Sequence, residues 1–296
     1  MNETPESLYL TRRTLLAAAA LAAACKPSRN EVAATIPKIA PPYPAPRNPR
    51  YALDRPMTGE LTAASHNNYY ELTPHKDVWR RSHLLDIDRW SVEVTGLVAK
   101  PKTWTLEELL RAMPLEERLY RHRCVEAWSM AIPWSGFPLW RLLAAAEPQH
   151  AARFVRFVSF ADPEKEPGIL AKRFEPWPYV EALRIDEAMH DLTFVATGIY
   201  GHALPKQHGA PMRIVVPWKY GYKSPKSVVR IELVAERPRT FWESIAPTEY
   251  PFESNVNPSL PHPRWSQATE RLIGTFDVRR TLPYNGYGAL VGNLYR

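Results

Sequence analysis

Arg121-His122-Arg123-Cys124-Val125-Glu126-Ala127-Trp128-Ser129-Met130 carries one of only two cysteines in a chain of 296 residues. The other, Cys25, closes an N-terminal leader, so Cys124 is the single thiol of the folded body and has no intrachain disulfide partner there. Arginines close by favour the thiolate, because positive charge stabilises an anion. A thiolate is either a nucleophile or a soft metal ligand. The commoner fate of a lone cysteine is burial as a small hydrophobe, and the rest of the chain has to overturn it.

Working outward, residues 119–124 read as a strand that brings the cysteine to its end. Even-numbered Glu126 and Trp128 are then expected on the face of the thiolate, with Glu126 free or tied to Arg121 or Arg123. Residues 90–96 alternate apolar and polar and end in Gly96, as a half-buried strand does. Thr105 and Glu108 form a capping box ahead of an apolar face at Leu106, Leu109, Leu110 and Met113. Residues 137–146 read as a short helix and 154–161 as a strand. Residues 179–189 read as a helix behind Pro178. The runs 192–199, 212–216 and 227–235 are β-rich. Short helices among many strands, without a βαβ period, indicate an α+β fold with mixed sheets. No internal repeat occurs.

The basic residues are scattered except at Arg213, Lys219, Lys223 and Lys226, which surround a Gly-, Ser- and Lys-bearing turn between two strands. Backbone N–H groups and ammonium groups there suit a phosphate, although a solvated loop has the same composition. The formal charge of +7 raises the question of nucleic acid. No long basic run supports that partner, and none is expected.

Thr11-Arg12-Arg13-Thr14-Leu15-Leu16 and the alanine-rich run to Ala24 have the layout of an export signal, too short to span a bilayer. The arginine pair resembles a twin-arginine signal, which serves proteins exported already folded. Lipidation at Cys25 is the minor alternative. Residues 1–24 are therefore read as the signal, 25–56 as a Pro-rich arm that is either disordered or wrapped on the domain, and 57–296 as one catalytic domain. The expected compartment is the periplasm. A lone thiol sent to an oxidising compartment is a liability unless something occupies it, which favours the metal-ligand reading of Cys124.

Other sites find less support. The nine histidines show neither a His-Glu-x-x-His helix nor paired Cys-x-x-Cys, so zinc is disfavoured. His122, Cys124 and Met130 lack the blue-copper order of a histidine after the cysteine. No elbow accompanies a Cys124–His nucleophile pair.

The Cys124 stretch, His208-Gly209-Ala210-Pro211-Met212-Arg213 through Lys226, and Pro261-His262-Pro263-Arg264-Trp265-Ser266-Gln267-Ala268-Thr269-Glu270-Arg271 occur in this order. Together they resemble the bacterial protein-methionine-sulfoxide reductase catalytic subunits of the sulfite-oxidase-like molybdopterin superfamily. The resemblance covers nearly all the chain after the arm. It implies a sulfite-oxidase-type fold and one molybdenum–molybdopterin per chain, without an appended nucleotide. It also implies the twin-arginine export machinery, a haem-containing membrane electron donor and oxidised periplasmic proteins as substrates. Sulfite oxidation and a metal-bearing electron carrier remain the alternatives.

By position, the resemblance makes Cys124 the catalytic thiolate ligand of molybdenum. Asn67, Tyr70 and Glu71 match a cofactor-binding segment, and Arg213, Ser224, Pro225 and Lys226 match the part that holds the pterin and its phosphate. Ser159 stands where threonine is usual, and retains the hydroxyl. His208 stands where these reductases usually have asparagine, and Ser224-Pro225 replaces a Gly-Ile pair. A carboxylate at Glu126 and an apolar ring at Trp128 would disfavour the sulfite dianion, so reduction of free and protein-bound methionine sulfoxide is expected, with little sulfite oxidation.

Overall fold

The computed structural model describes residues 29–296. The export signal, Cys25 and its lipidation lie outside them. Twelve strands follow one another among the described residues: β1 (Ser91–Gly96), β2 (Lys102–Thr105), β3 (Glu116–Arg123), β4 (Trp128–Pro138), β5 (Phe154–Ser159), β6 (Val180–Arg184), β7 (Phe194–Ile199), β8 (His202–Ala203), β9 (Arg213–Val215), β10 (Val228–Val234), β11 (Thr269–Leu272) and β12 (Val278–Arg280). One sheet has the order β2-β1-β10-β5-β6. The other has the order β12-β11-β4-β7-β8, with β3 beside β4 and β9 beside β7. Only β1–β10 and β11–β4 pair in parallel, so both sheets are mixed and the fold is α+β.

Alternating residues explain the first sheet. Val92 and Val94 of β1, Val155 and Phe157 of β5, and Ile231 and Leu233 of β10 are all fully buried, as period-two patterning requires. In β4 all eleven residues are buried, because β3, β7 and β11 pair with it along its length. Gly136 of β4 is required by close approach: a Cβ there would lie 1.9 Å from the Val195 carbonyl oxygen of β7. The Thr105–Glu108 capping box forms as expected at the start of the Leu106–Ala112 helix.

One expectation fails. Residues 180–184 form strand β6, not a helix, and only Ile185–Ala188 is helical. Pairing with the edge of β5 overrides local propensity. The strand also turns Glu181 into the interior, where it meets the Lys223 ammonium 2.5 Å away.

The Pro-rich arm is wrapped on the domain, after a helical turn at Arg29–Ala33. Arg47 and Glu117 form a parallel bridge that extends the β3 edge. Tyr43 is buried, and its hydroxyl donates to the Thr197 carbonyl at 2.8 Å. Further along, Arg55 enters the interior and meets Glu270 at 3.0 Å. Tyr43→Ala removes a buried ring and its hydrogen bond. It is expected to cost about 3 kcal/mol in chemical denaturation and to expose residues 29–56 to limited proteolysis. An unchanged midpoint and an uncut arm would show that the arm is not anchored by this ring.

Candidate active site

Between β3 and β4 the chain turns in a hairpin. The Cys124 N–H donates to the Trp128 carbonyl at 2.9 Å, and the Ala127 N–H donates to the Cys124 carbonyl at 3.1 Å. This is a three-residue loop with its last residue left-handed; Ala127 has φ 60°, where glycine is usual. The hairpin sets the Cys124 thiol on the wall of a cavity of about 570 Å³.

Neighbouring arginines do not ionise the thiol. Arg123 points away into the interior and ion-pairs with Glu270 at 3.2 Å, since successive strand residues face opposite sides. Arg121 pairs with Asp54. Burial pushes the Cys124 thiol up to about 12, and the Glu126 carboxylate pushes the same way. As a free side chain it holds its proton.

Glu126 is not bound by either arginine. Its partners are Lys76 Nζ at 2.6 Å, Trp128 Nε1 at 2.9 Å and Asn68 Nδ2 at 3.4 Å. Asn68 Nδ2 also lies 3.6 Å from Cys124 Sγ. The carboxylate is thus paired, and its repulsion of an anion is largely cancelled. Trp128 does share the cavity wall with the thiol. Lys76 lies 50 residues from Glu126, and nothing local in the sequence signals the pair.

The four basic residues of the 213–226 region divide into two pairs. Lys219 and Lys223 are consumed in buried ion pairs with Glu187 and Glu181, so they do not serve the cavity. Arg213 and Lys226 do line it. Arg213 donates to the carbonyls of His208 at 3.1 Å and Ser224 at 3.0 Å, tying the two loops together. Gly209 is left-handed at φ 93°, and a Cβ on it would lie 2.5 Å from Lys226 Cβ; the glycine lets the lysine stem lie flat against the 208–209 loop.

Most residues expected at a site converge here. Asn67, Tyr70, Glu71, His208, Ser224 and Pro225 line the cavity with Cys124, Arg213 and Lys226. Ser159 does not. It sits buried at the end of β5, where its Oγ has no partner. Asn67 donates to the Ala63 carbonyl and contacts His208 Nδ1, both at 3.3 Å, while its buried Oδ1 is unpartnered. His122, considered in the sequence only for copper, also lines the cavity. Burial holds His122 and His208 down to about 3, helped by Arg213 and Lys226, so both imidazoles are neutral. Burial likewise drives Lys226 down, with Arg213 adding to it, and drives Glu71 up. A bound anion would reverse the pressure on Lys226. Among the described residues no three His, Cys, Asp or Glu side chains converge as a metal site.

A family model described as an oxidoreductase molybdopterin binding domain matches residues 78–242. The protein-methionine-sulfoxide reductase catalytic subunit MsrP of Burkholderia mallei is 46% identical, covering 99% of this chain and 91% of that protein. The subunit of the same name from Ralstonia nicotianae is 48% identical, covering 99% and 92%. The sulfane dehydrogenase SoxCD from Paracoccus pantotrophus aligns with a TM-score of 0.48 at 21% identity, over 64% of this chain and 46% of that one, a likeness too partial to carry weight.

The charge arrangement yields a direct test. Lys226→Glu sets a carboxylate against any anion in the cavity and should lower the pterin recovered from purified protein by about tenfold or more, the worth of a charged hydrogen bond. Full pterin recovery from a folded variant would make this turn an ordinary loop.

Proposed function

Because this chain belongs to the family of protein-methionine-sulfoxide reductase catalytic subunits and carries their molybdopterin-binding domain, we propose that its cavity holds one molybdenum–molybdopterin without an appended nucleotide, with Cys124 as the protein ligand of the metal. The enzyme reduces methionine sulfoxide in oxidised proteins of the periplasm. As a catalytic subunit it works with a partner, which we take to be a haem-containing membrane electron donor.

The observation that carries this reading is that Cys124 lines the same cavity as the basic Arg213 and Lys226. Lys226 and Arg213 suit a phosphate, and the unpartnered Asn67 Oδ1 suits an amino donor of the pterin. His208, neutral and already engaged with Asn67, can still offer its other ring nitrogen. Glu71 lines the same cavity and can accept from the pterin. The residues present therefore fit the group.

When bound, molybdenum supplies two-electron oxygen-atom transfer. The chain's own residues prepare the site for it. Cys124 gives up its proton only against a metal cation, since burial otherwise holds that proton in place. Asn68 donates toward the sulfur and, through its carbonyl, accepts from Lys76, which fixes the amide's orientation. Lys76 in turn covers the Glu126 charge, so a neutral sulfoxide meets no bare carboxylate. The hairpin that presents the thiol is held by Trp265 and Gln267, each donating to the Val125 carbonyl at 2.7 Å.

Purified, molybdenum-replete protein should oxidise a reduced viologen dye with methionine sulfoxide, and faster with an oxidised unfolded protein, while sulfite supports little reaction. Cys124→Ser should lower turnover more than about 100-fold, beyond the usual loss for an outer partner of a metal. Brisk sulfite oxidation with the sulfoxide untouched would defeat the reductase reading, and wild-type turnover by Cys124→Ser would defeat the ligand assignment.

Export by the twin-arginine route rests on Arg12 and Arg13. Replacing both by lysine should leave folded, cofactor-loaded protein in the cytoplasm on cell fractionation. Undiminished arrival in the periplasm would exclude that route.

A further inference from the structure

Besides Arg213 and Lys226, the cavity is lined by rings, among them Tyr70, Trp242, Tyr250 and Trp265. They form a continuous chain. Trp242 meets Tyr70 edge-on at 5.3 Å between centroids and Tyr250 at 5.1 Å. His262 bridges Tyr250 to Trp265, at 5.8 Å from the first and stacked at 3.9 Å on the second.

The outer two rings carry cations: Lys172 Nζ lies 5.6 Å from the Tyr70 centroid and the Arg264 guanidinium 4.9 Å from that of Trp265. The Tyr250 hydroxyl accepts from Arg264 at 3.4 Å, and Trp265 Nε1 donates to the Val125 carbonyl. What the middle pair, Trp242 and Tyr250, offers the cavity is mainly ring carbon. Cys124 lines the same cavity as both the rings and Lys226.

An anionic cofactor is drawn to Arg213 and Lys226, because ring faces carry the negative end of the aromatic quadrupole and offer an anion nothing. The faces of Trp242 and Tyr250 are left for a neutral, soft group. We propose that Trp242 and Tyr250 form the substrate subsite, a ring wall that takes the S-methyl end of a methionine sulfoxide side chain and leaves its sulfinyl oxygen on the Cys124 side. This assignment rests on the reductase reading above. The sulfur of a sulfoxide bears positive charge and its methyl is polarised, so both gain against ring faces. Sulfite, a dianion, meets the same faces unfavourably. With Glu126 covered by Lys76, selection between the two substrates falls to the rings.

The test uses wild type, Trp242→Leu and Trp242→Phe as molybdenum-loaded enzymes with N-acetylmethionine sulfoxide amide. Binding is read by calorimetry on the oxidised enzyme, turnover by dye oxidation, and pterin and molybdenum content independently. Trp242→Leu should weaken binding and raise KM about fivefold, the scale of a sulfur–aromatic contact. Pterin content should be unchanged and kcat per molybdenum within about twofold. Trp242→Phe should recover most of the loss. Tyr250→Leu answers the same question if the Trp242 variants do not accumulate. Unaltered affinity in these variants would overturn the subsite. Loss of pterin in place of affinity would overturn it too, and would give the wall to the cofactor. An enzyme that bound the sulfoxide through Trp242 yet did not reduce it would sink the reductase reading and leave the subsite standing.

Discussion

Glu270 lies between two buried guanidinium groups, Arg55 at 3.0 Å and Arg123 at 3.2 Å, with Ser129 Oγ donating to it at 2.9 Å. All three charged groups are withdrawn from water. Such a network gives little net stability over a well-packed apolar one, but removing a member leaves a buried unpaired charge that costs about 3–5 kcal/mol. It joins the arm, β3, β4 and β11 at one point. Arg123 also donates to the Cys124 carbonyl and to Gln267 Oε1, and Gln267 in turn holds the Val125 carbonyl. The hairpin that presents the thiol is therefore clamped from beneath. The arginine beside the cysteine is chiefly scaffolding, and its charge only partly offsets what burial and Glu126 do to the thiol.

That exchange of roles separates what the sequence carries by itself from what only folding adds. Strand β1 is legible because Val92 and Val94 repeat at the period of a half-buried strand, and β7, β9 and β10 because their runs are rich in β-branched and other apolar residues. Adjacent residues in a strand face opposite ways, however, so the Arg123 guanidinium is committed to Glu270 and does not outweigh burial at the thiol. The fates of Lys219 and Lys223 depend on Glu187 and Glu181, more than 30 residues earlier in the chain; composition alone assigns all four basic residues to one turn. Residues 180–184 look helical until β5 supplies an edge for them. Ser159 is expected at the site only through the resemblance, by its match to a position where threonine is usual, and β5 turns its hydroxyl into the interior. Trp242 and Tyr250 carry no motif at all, because a wall of rings is assembled only by the fold.

Around the thiol the cavity offers two kinds of contact. Burial holds Lys226 and Arg213 against their own charges, a state that a bound anion would relieve. Trp242 and Tyr250 offer mainly ring carbon. Asn68, oriented by Lys76, is aimed at the Cys124 sulfur. Under the proposed reading, one pocket would then hold a charged cofactor and a neutral substrate on different contacts.

The clamp on Arg123 also bears on the order in which the molecule is made. Its counter-ion is residue 270 of 296, and β1 can complete its sheet only when β10 arrives, with Glu93 opposite Arg230. A nascent chain has synthesised Cys124, Asn67 and the whole of β4 long before either partner exists. During that interval the arginine has no carboxylate and the cysteine hairpin no floor. The floor under the hairpin is thus complete only once Glu270 has joined it, and the first sheet only once β10 has.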